Sequence, residues 1–383
     1  MTRKILFLTG TRADFGKLKS LIQSIDQSKQ FDVAIFITGM HTLSRYGYTV
    51  DEVYRELPEH RLRDGTRSVY VFHNQVAGES MERILASTIE GLSRYVTEFR
   101  PDLIVVHGDR VEALAGAIVG ALRNILVAHI EGGEVSGTID EVIRHAVTKM
   151  SHIHFVANEE ASRRLLQLGE HPKSVHVIGS PDIDLMMSSN LPSIEEVKDY
   201  YDIPYDDYGV VIFHPVTTDL ADTERSANEM VSAILESGHN HVVIYPNNDE
   251  GCELIFKAWH RLENNKLIKI LPSMRVEYFL VMLRGARYLL GNSSAGMREC
   301  PVFGVPAINV SSRQNGRASS PCIINVPGDQ QAILSAMRVS WTNSVRHESD
   351  LTFGAGNSAK YFLEILNQED FWQIPMQKKF NDI

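Results

Sequence analysis

The chain has 383 residues with a soluble globular composition and a formal net charge of −10, a length that predicts two domains and an acidic balance that argues against nucleic acid and anionic membrane as partners. Cys252, Cys300 and Cys322 are too few and too far apart for a disulfide framework or a metal-ligand spacing. The most apolar window, Ala113 to Leu122, is too short to span a bilayer, and MTRKILFLTG at the start reads as a strand and a loop with no cleavable signal, so a cytoplasmic enzyme is expected.

Lys4 to Leu8 is the first predicted strand, and it runs into TGTRADFGKLKSL. A strand, a glycine turn and a helix start make a natural anion site, with Arg12 and Lys17 as its cations. The bland alternative pairs Arg12 with Asp14 on the surface. Phe31 to Thr38 is the second strand, and His41 in the following TGMH is a candidate sugar or phosphate contact. Ser68 to Phe72 is a third strand, followed by a helix over Met81 to Phe99.

The stretch from His107 to His145 carries most of the chemistry. LIVV runs into HGDR, ILVAHI runs into EGG, and the Ala- and Leu-rich Val111 to Leu122 between them reads as a crossover helix. In such a β-α-β unit Asp109 and Glu131 both lie just past strand carboxyl ends, where open α/β sheets bind ligands. Neighbouring strands lie about 5 Å apart, so the two carboxylates can face one ligand. Asp140 follows the turn signal SGT at the start of the next helix. Three acids at one edge point to proton transfer. Helix capping accounts equally for Asp109 and Asp140, but less well for Glu131 before its two glycines. Ile153 to Val156 and Val175 to Ile178 complete seven strands, and His152 and His154 read as structural.

GSPDIDLMM, from Gly179, reads as the domain junction. The α/β rhythm then resumes with strands at Val210 to Phe213, Val242 to Tyr245, Leu267 to Leu271, Tyr288 to Leu290 and Ala307 to Val310. The expected architecture is two Rossmann-like doubly wound domains facing across a ligand cleft, with bounds of 1–182 and 183–365 and a segment 366–383 packing back on the first domain. GNSSAGMRE is a strand-to-helix turn, in which Ser293, Ser294 and the helix N-terminus suit a diphosphate and Glu299 suits ribose hydroxyls. The bland reading is an N-cap followed by a solvated glutamate. Arg313 is placed to fork onto the same phosphates, and Arg275 is a further candidate contact. His214, at a strand end before Pro215, is assigned to the site rather than to the core.

GTRADFGKL, ITGMH, HGDRVEALAGA, HIEGGE, SGTID, IRH, FHPVTT, YPNND and GNSSAG, in that order, resemble the hydrolysing UDP-N-acetylglucosamine 2-epimerases of sialic acid biosynthesis, over roughly Lys4 to Glu364. The resemblance implies the GT-B fold and conversion of UDP-GlcNAc and water to N-acetylmannosamine and UDP, with no metal and no cofactor. It implies Asp109, Glu131 and Asp140 as catalytic carboxylates and His214 as a diphosphate or sugar contact. Ser293, Glu299 and Arg313 then fall in the UDP-binding half, and Arg12 and Lys17 match the first glycine-loop positions. The implied partners are the UDP-sugar and UDP, in a homodimer or homotetramer. Relatives acting on UDP-N,N'-diacetylbacillosamine differ at the sugar C4 and C6, so that substrate stays open, as does a non-hydrolysing 2-epimerase. Inverting C2 needs acid/base groups on two faces, and elimination to 2-acetamidoglucal followed by hydration supplies the route. Which acid serves which face is left open by the sequence.

Overall fold

The computed structural model describes residues 2–56, 62–136, 139–314, 316, 319–343 and 346–382. The expected turn at Gly137 and Thr138 lies outside them. The chain divides into two compact units. One takes the chain up to Glu134, Asp140–Ser188 and the chain from Thr352 on; the other takes Ser189–Leu351 with the short run Val135–Ile139.

In the first unit a parallel sheet is built from β1 (Lys4–Thr9), β2 (Asp32–Ile37), β3 (Val69–Val71), β4 (Leu103–His107), β5 (Leu126–Ile130), β6 (Ile153–Val156) and β7 (Val175–Val177). Their order is β3-β2-β1-β4-β5-β6-β7. The strand interiors are continuous apolar runs because helices cover both faces: β2 and β5 are buried at every residue. The crossover helix forms over Val111–Leu122, as its composition predicts. Order reverses between β1 and β4, so the loops leaving these two strands flank the position where such sheets bind ligands.

The late helix Ser358–Leu366, which the sequence predicts over Lys360 to Leu366 as a brace returning to the first domain, belongs to this unit. Its Phe362 is buried against Phe7 and Phe155, with ring centroids 6.5 and 4.6 Å away. Phe362→Ala would cost about 3–5 kcal/mol by emptying that space.

The second unit has β8 (Gly209–Ile212), β9 (His241–Ile244), β10 (Ile268–Leu271), β11 (Leu289–Gly291), β12 (Ala307–Val310) and β13 (Ile323–Val326), in parallel order β10-β9-β8-β11-β12-β13. β13 has no counterpart among the sequence expectations; its three apolar residues are only half-buried, Asn325 is exposed, and IINV is too short a run to stand out. The order again reverses at the centre, between β8 and β11. Gly291 ends β11 with φ +134°, and a Cβ there would lie 1.9 Å from the Ile212 carbonyl oxygen, so only glycine fits. Among the described residues no helix is long and apolar enough to cross a membrane.

Candidate active site

β4 and β5 are hydrogen-bonded neighbours with His107 opposite Ile130, and the Gly108 N–H donates to the Ile130 carbonyl at 2.9 Å. This register brings Asp109 and Glu131 out of adjacent strand ends, as the sequence predicts. Their surroundings differ. The N-cap of the crossover helix is Arg110, not Asp109. Asp109 instead forms an ion pair with Arg144, from the helix Ile139–Met150. Arg144 is 1% exposed and also donates to the Glu134 carbonyl at 3.0 Å. Burial opposes its charge, but Asp109, Glu134 and Asp140 outweigh burial and hold the guanidinium protonated. Asp140 lies in the first turn of the same helix, four residues before Arg144 and on its face.

Glu131 adopts φ +63°, a left-handed conformation uncommon outside glycine. It is 4% exposed. Its Oε2 lies 2.9 Å from His107 Nε2 and 3.5 Å from Lys17 Nζ, and its Oε1 accepts from the Ser180 hydroxyl. Gly133 follows at φ +78°, where a Cβ would meet the Ala161 carbonyl oxygen at 2.4 Å. His129, buried inside β5, bonds the Gly108 carbonyl at 2.8 Å and Thr148 Oγ1 at 3.1 Å, tying the Asp109 loop to the Arg144 helix. Burial pushes its pKa down to about 3, so it serves as a neutral tether.

In the first glycine loop, expected as an anion site, an acid of the chain itself meets the loop's donors. The Asp14 carboxylate already takes the loop's donors: Gly10 N–H at 2.9 Å, Thr11 N–H at 3.1 Å and the Thr9 hydroxyl. With Thr11 it forms a capping box, each side chain accepting from the other's backbone. Arg12 pairs with Glu52 at 2.5 Å, not with Asp14. Lys17 sits between Glu131 and Asp182, 3.0 Å from the latter, so its charge faces two carboxylates. His41 is 1% exposed, 3.0 Å from Thr9 Oγ1 and 2.6 Å from Thr49 Oγ1, inside the fold and not on a solvated loop. Burial lowers its pKa to about 4.

In the second unit His214 and Asn292 leave the two central strands and lock together. The His214 N–H donates to Asn292 Oδ1 at 2.7 Å, and Asn292 Nδ2 donates to the His214 carbonyl at 2.9 Å. The Asn247 N–H donates to His214 Nδ1 at 3.0 Å, so in the neutral ring Nε2 carries the proton. Arg313 Nη1 and Gln314 Nε2 reach the Asn292 carbonyl at 3.4 and 3.0 Å. His214 and Arg313 therefore converge through Asn292. The GNSSAG stretch does not open a helix directly. Ser293 caps a single 3-10 turn, Ser294–Gly296, and the helix starts only at Glu299, as a short segment Glu299–Phe303. Glu299 is thus in a first turn, not a turn and a half in. Arg275 lies against two aromatic rings, its guanidinium 4.6 Å over the Tyr200 ring and 5.4 Å from that of Tyr278.

Sequence reading passed over Ser180 and Asp182, which meet Glu131 and Lys17 from a run taken for a domain junction. It also left His107, His129 and Arg144 without roles. Among the described residues no group of three His, Cys, Asp or Glu side chains is set to hold a metal ion.

The family model described as UDP-N-acetylglucosamine 2-epimerase matches residues 23–367. A UDP-N-acetylglucosamine 2-epimerase of Neisseria meningitidis serogroup B is 46% identical over 384 residues, spanning 100% of this chain and 99% of the relative. The UDP-N,N'-diacetylbacillosamine 2-epimerase (hydrolyzing) of Legionella pneumophila is 31% identical over 367 residues, 96% of each chain. Among solved structures, a UDP-GlcNAc 2-epimerase of Methanocaldococcus jannaschii, in complex with UDP-GlcNAc and UDP, has a TM-score of 0.79 at 23% identity, covering 95% of this chain and 99% of that one. That likeness carries the fold.

Proposed function

The chain belongs to the UDP-N-acetylglucosamine 2-epimerase family, and we propose that it is the hydrolysing member, converting UDP-GlcNAc and water to N-acetylmannosamine and UDP for sialic acid synthesis. The observation that carries this reading is the pair Asp109 and Glu131, leaving adjacent strands in contrasting surroundings: one carboxylate against a buried arginine, the other inside a proton-bearing cluster. Epimerisation at C2 removes a proton from one face and returns one to the other, so it needs two differently held acid/base groups. Asp109 and Glu131 move protons at C2, and Asp140, on the helix of Arg144, positions the sugar.

In the second unit His214 and Arg313, braced on Asn292, with Ser293, Ser294 and Glu299 nearby in sequence, hold the UDP leaving group. Arg313 offers the diphosphate a forked, charge-assisted contact. Departure of UDP with the C2 proton leaves 2-acetamidoglucal, and water then adds at C1 as a proton enters C2 from the other face. The hydrolysing assignment draws on the motif resemblance and on the Legionella relative's printed activity. That same relative gives the second reading, a UDP-N,N'-diacetylbacillosamine substrate.

Incubation with UDP-GlcNAc alone tests the proposal. Release of UDP with free N-acetylmannosamine is expected. UDP-N-acetylmannosamine as the product would make it a non-hydrolysing epimerase. Turnover confined to UDP-N,N'-diacetylbacillosamine would establish the second reading.

A further inference from the structure

The Glu131 carboxylate has a second carboxylate as its neighbour. Asp182 lies in the first turn of the helix Pro181–Met186 and is 3% exposed. The Ser180 hydroxyl meets Oε1 of Glu131 on one side and Oδ1 of Asp182 on the other. The remaining oxygens share one ammonium, with Lys17 Nζ 3.5 Å from Glu131 Oε2 and 3.0 Å from Asp182 Oδ2, and Glu131 Oε2 also meets His107 Nε2 at 2.9 Å. The two acids are thus joined twice, once through a hydroxyl and once through a cation.

Counting protons decides what this joint requires. A serine hydroxyl has one proton and can donate it to one carboxylate only. Its contact with the second carboxyl is a hydrogen bond only if that carboxyl is itself protonated and donates to the serine oxygen. Counting charges leads to the same place. Two carboxylates joined through one hydroxyl among buried side chains oppose each other's ionisation, so the first proton is taken up more readily than the second.

We propose that Asp182 is a positioning residue that shares one proton with Glu131 through the Ser180 hydroxyl, and thereby keeps Glu131 charged with a proton to donate at neutral pH. The inference rests on the reading of Glu131 as an acid/base group at C2. It also divides the labour: Asp109, paired with Arg144, stays ionised and takes the proton, and Glu131 returns one. In the hydration of 2-acetamidoglucal the Glu131 O–H bond breaks as the C2–H bond forms. The water oxygen bonds to C1, its surplus proton leaves to solvent, and the pair is recharged from solvent. Groups that face the pair include Lys17 from the helix Arg12–Ser28, His107 from the end of β4, and Asp184 from the helix of Asp182 itself.

The test is the pH dependence of kcat and KM for UDP-GlcNAc in the wild type, D182N, S180A and E131Q. D182N removes the like charge that discourages ionisation of Glu131, so the alkaline limb of kcat should move down by about one pH unit, with KM changed less than about twofold. S180A deletes the bridge without altering charge, and should move the same limb in the same direction. If D182N does not accumulate as folded protein, S180A decides the matter. An alkaline limb left in place, with kcat reduced by one factor at every pH, would reduce Asp182 and Ser180 to structural groups and overturn the proposal. Wild-type turnover in E131Q would instead remove the underlying reading of Glu131, so the two failures are distinct.

Discussion

Arg144 holds Asp109 by an ion pair and the Glu134 carbonyl by a 3.0 Å hydrogen bond, from a position that is 1% exposed. One buried guanidinium thus fixes both the loop after β4 and the loop after β5. Removing one partner of a buried pair costs about 3–5 kcal/mol, and the part-exposed Asp109 puts Arg144→Met near the lower end of that range. Arg144→Lys keeps the charge but loses the fork, and should fall between. Urea unfolding reads the stability and turnover reads the placement of Asp109. An R144M midpoint equal to that of the wild type would contradict the brace.

Asp109→Asn and Glu131→Gln should each still fold, Asp109→Asn less stably because it strands the buried Arg144, and each should lower kcat by about 10²–10⁴-fold, the usual loss on removing a general acid or base. Near-wild-type rates in both, with circular dichroism unchanged, would place the chemistry elsewhere.

The frame of this site was legible because parallel strands announce themselves as short β-branched runs ending in glycine. HGDR and HIEGG therefore stood at strand ends before any pairing was known, and the helix between them formed over Val111–Leu122 as expected. Pairing of charges was not legible. Lys17, Glu131 and Asp182 meet across more than a hundred residues of chain, and spacing in one sequence does not say which carboxylate a lysine will face. The Gly-Ser-Pro run reads as the domain junction because Gly and Pro break periodicity, and the first unit's segment does end just past it, at Ser188. What that reading hides is a helix whose first residue is Pro181, a position where its missing N–H costs nothing. Pairing also decides the first glycine loop: Asp14, three residues after Thr11, is a capping-box signal, and its carboxylate takes N–H groups that an external anion would share.

Acid should destabilise both units through buried histidines. Burial lowers His41 to about 4, His129 to about 3 and His241 to about 3, against an ordinary value of 6.5. Below pH 6.5 the unfolded chain takes up protons that the folded chain refuses, so stability is full above 6.5 and is lost as pH falls toward these lowered values. At pH 5 each such histidine withholds on the order of 2 kcal/mol. The urea midpoint should decline steadily from pH 7 to pH 5, and His41→Asn should flatten that slope. A midpoint constant over this range would refute the assignment of these rings as neutral.

Lys378 should be a stability determinant despite its place near the C-terminus. Its ammonium donates to the carbonyls of Ser151 at 2.7 Å, Thr148 at 2.9 Å and Lys149 at 3.2 Å, and pairs with the buried Glu170 at 2.5 Å. It thereby caps the far end of the helix that carries Asp140 and Arg144, where a cation also suits the helix dipole. Lys378→Met leaves those carbonyls and Glu170 short of a donor and should cost at least about 2 kcal/mol. An unchanged unfolding midpoint would show that the tail contributes nothing to this helix.

Isotopes test the chemistry that Asp109 and Glu131 are proposed to share. The C2 proton leaves to one carboxylate, which exchanges with water, and a different carboxyl returns a proton to the opposite face. In D₂O the released N-acetylmannosamine should therefore carry one deuterium at C2. The elimination breaks the bond between C1 and oxygen, so in H₂¹⁸O the label should enter the sugar at C1 and stay out of the UDP. Hydrolysis followed by ring-opened epimerisation also places deuterium at C2, but it passes through free N-acetylglucosamine. That sugar, supplied in place of UDP-GlcNAc, should be left untouched, whereas synthetic 2-acetamidoglucal should be hydrated to N-acetylmannosamine. Since Glu131 is the group expected to deliver the second proton, E131Q should lose hydration of the glycal along with overall turnover, by about 10²-fold or more. Product without deuterium at C2, or ¹⁸O in the UDP, would sink the elimination route and leave the family membership standing.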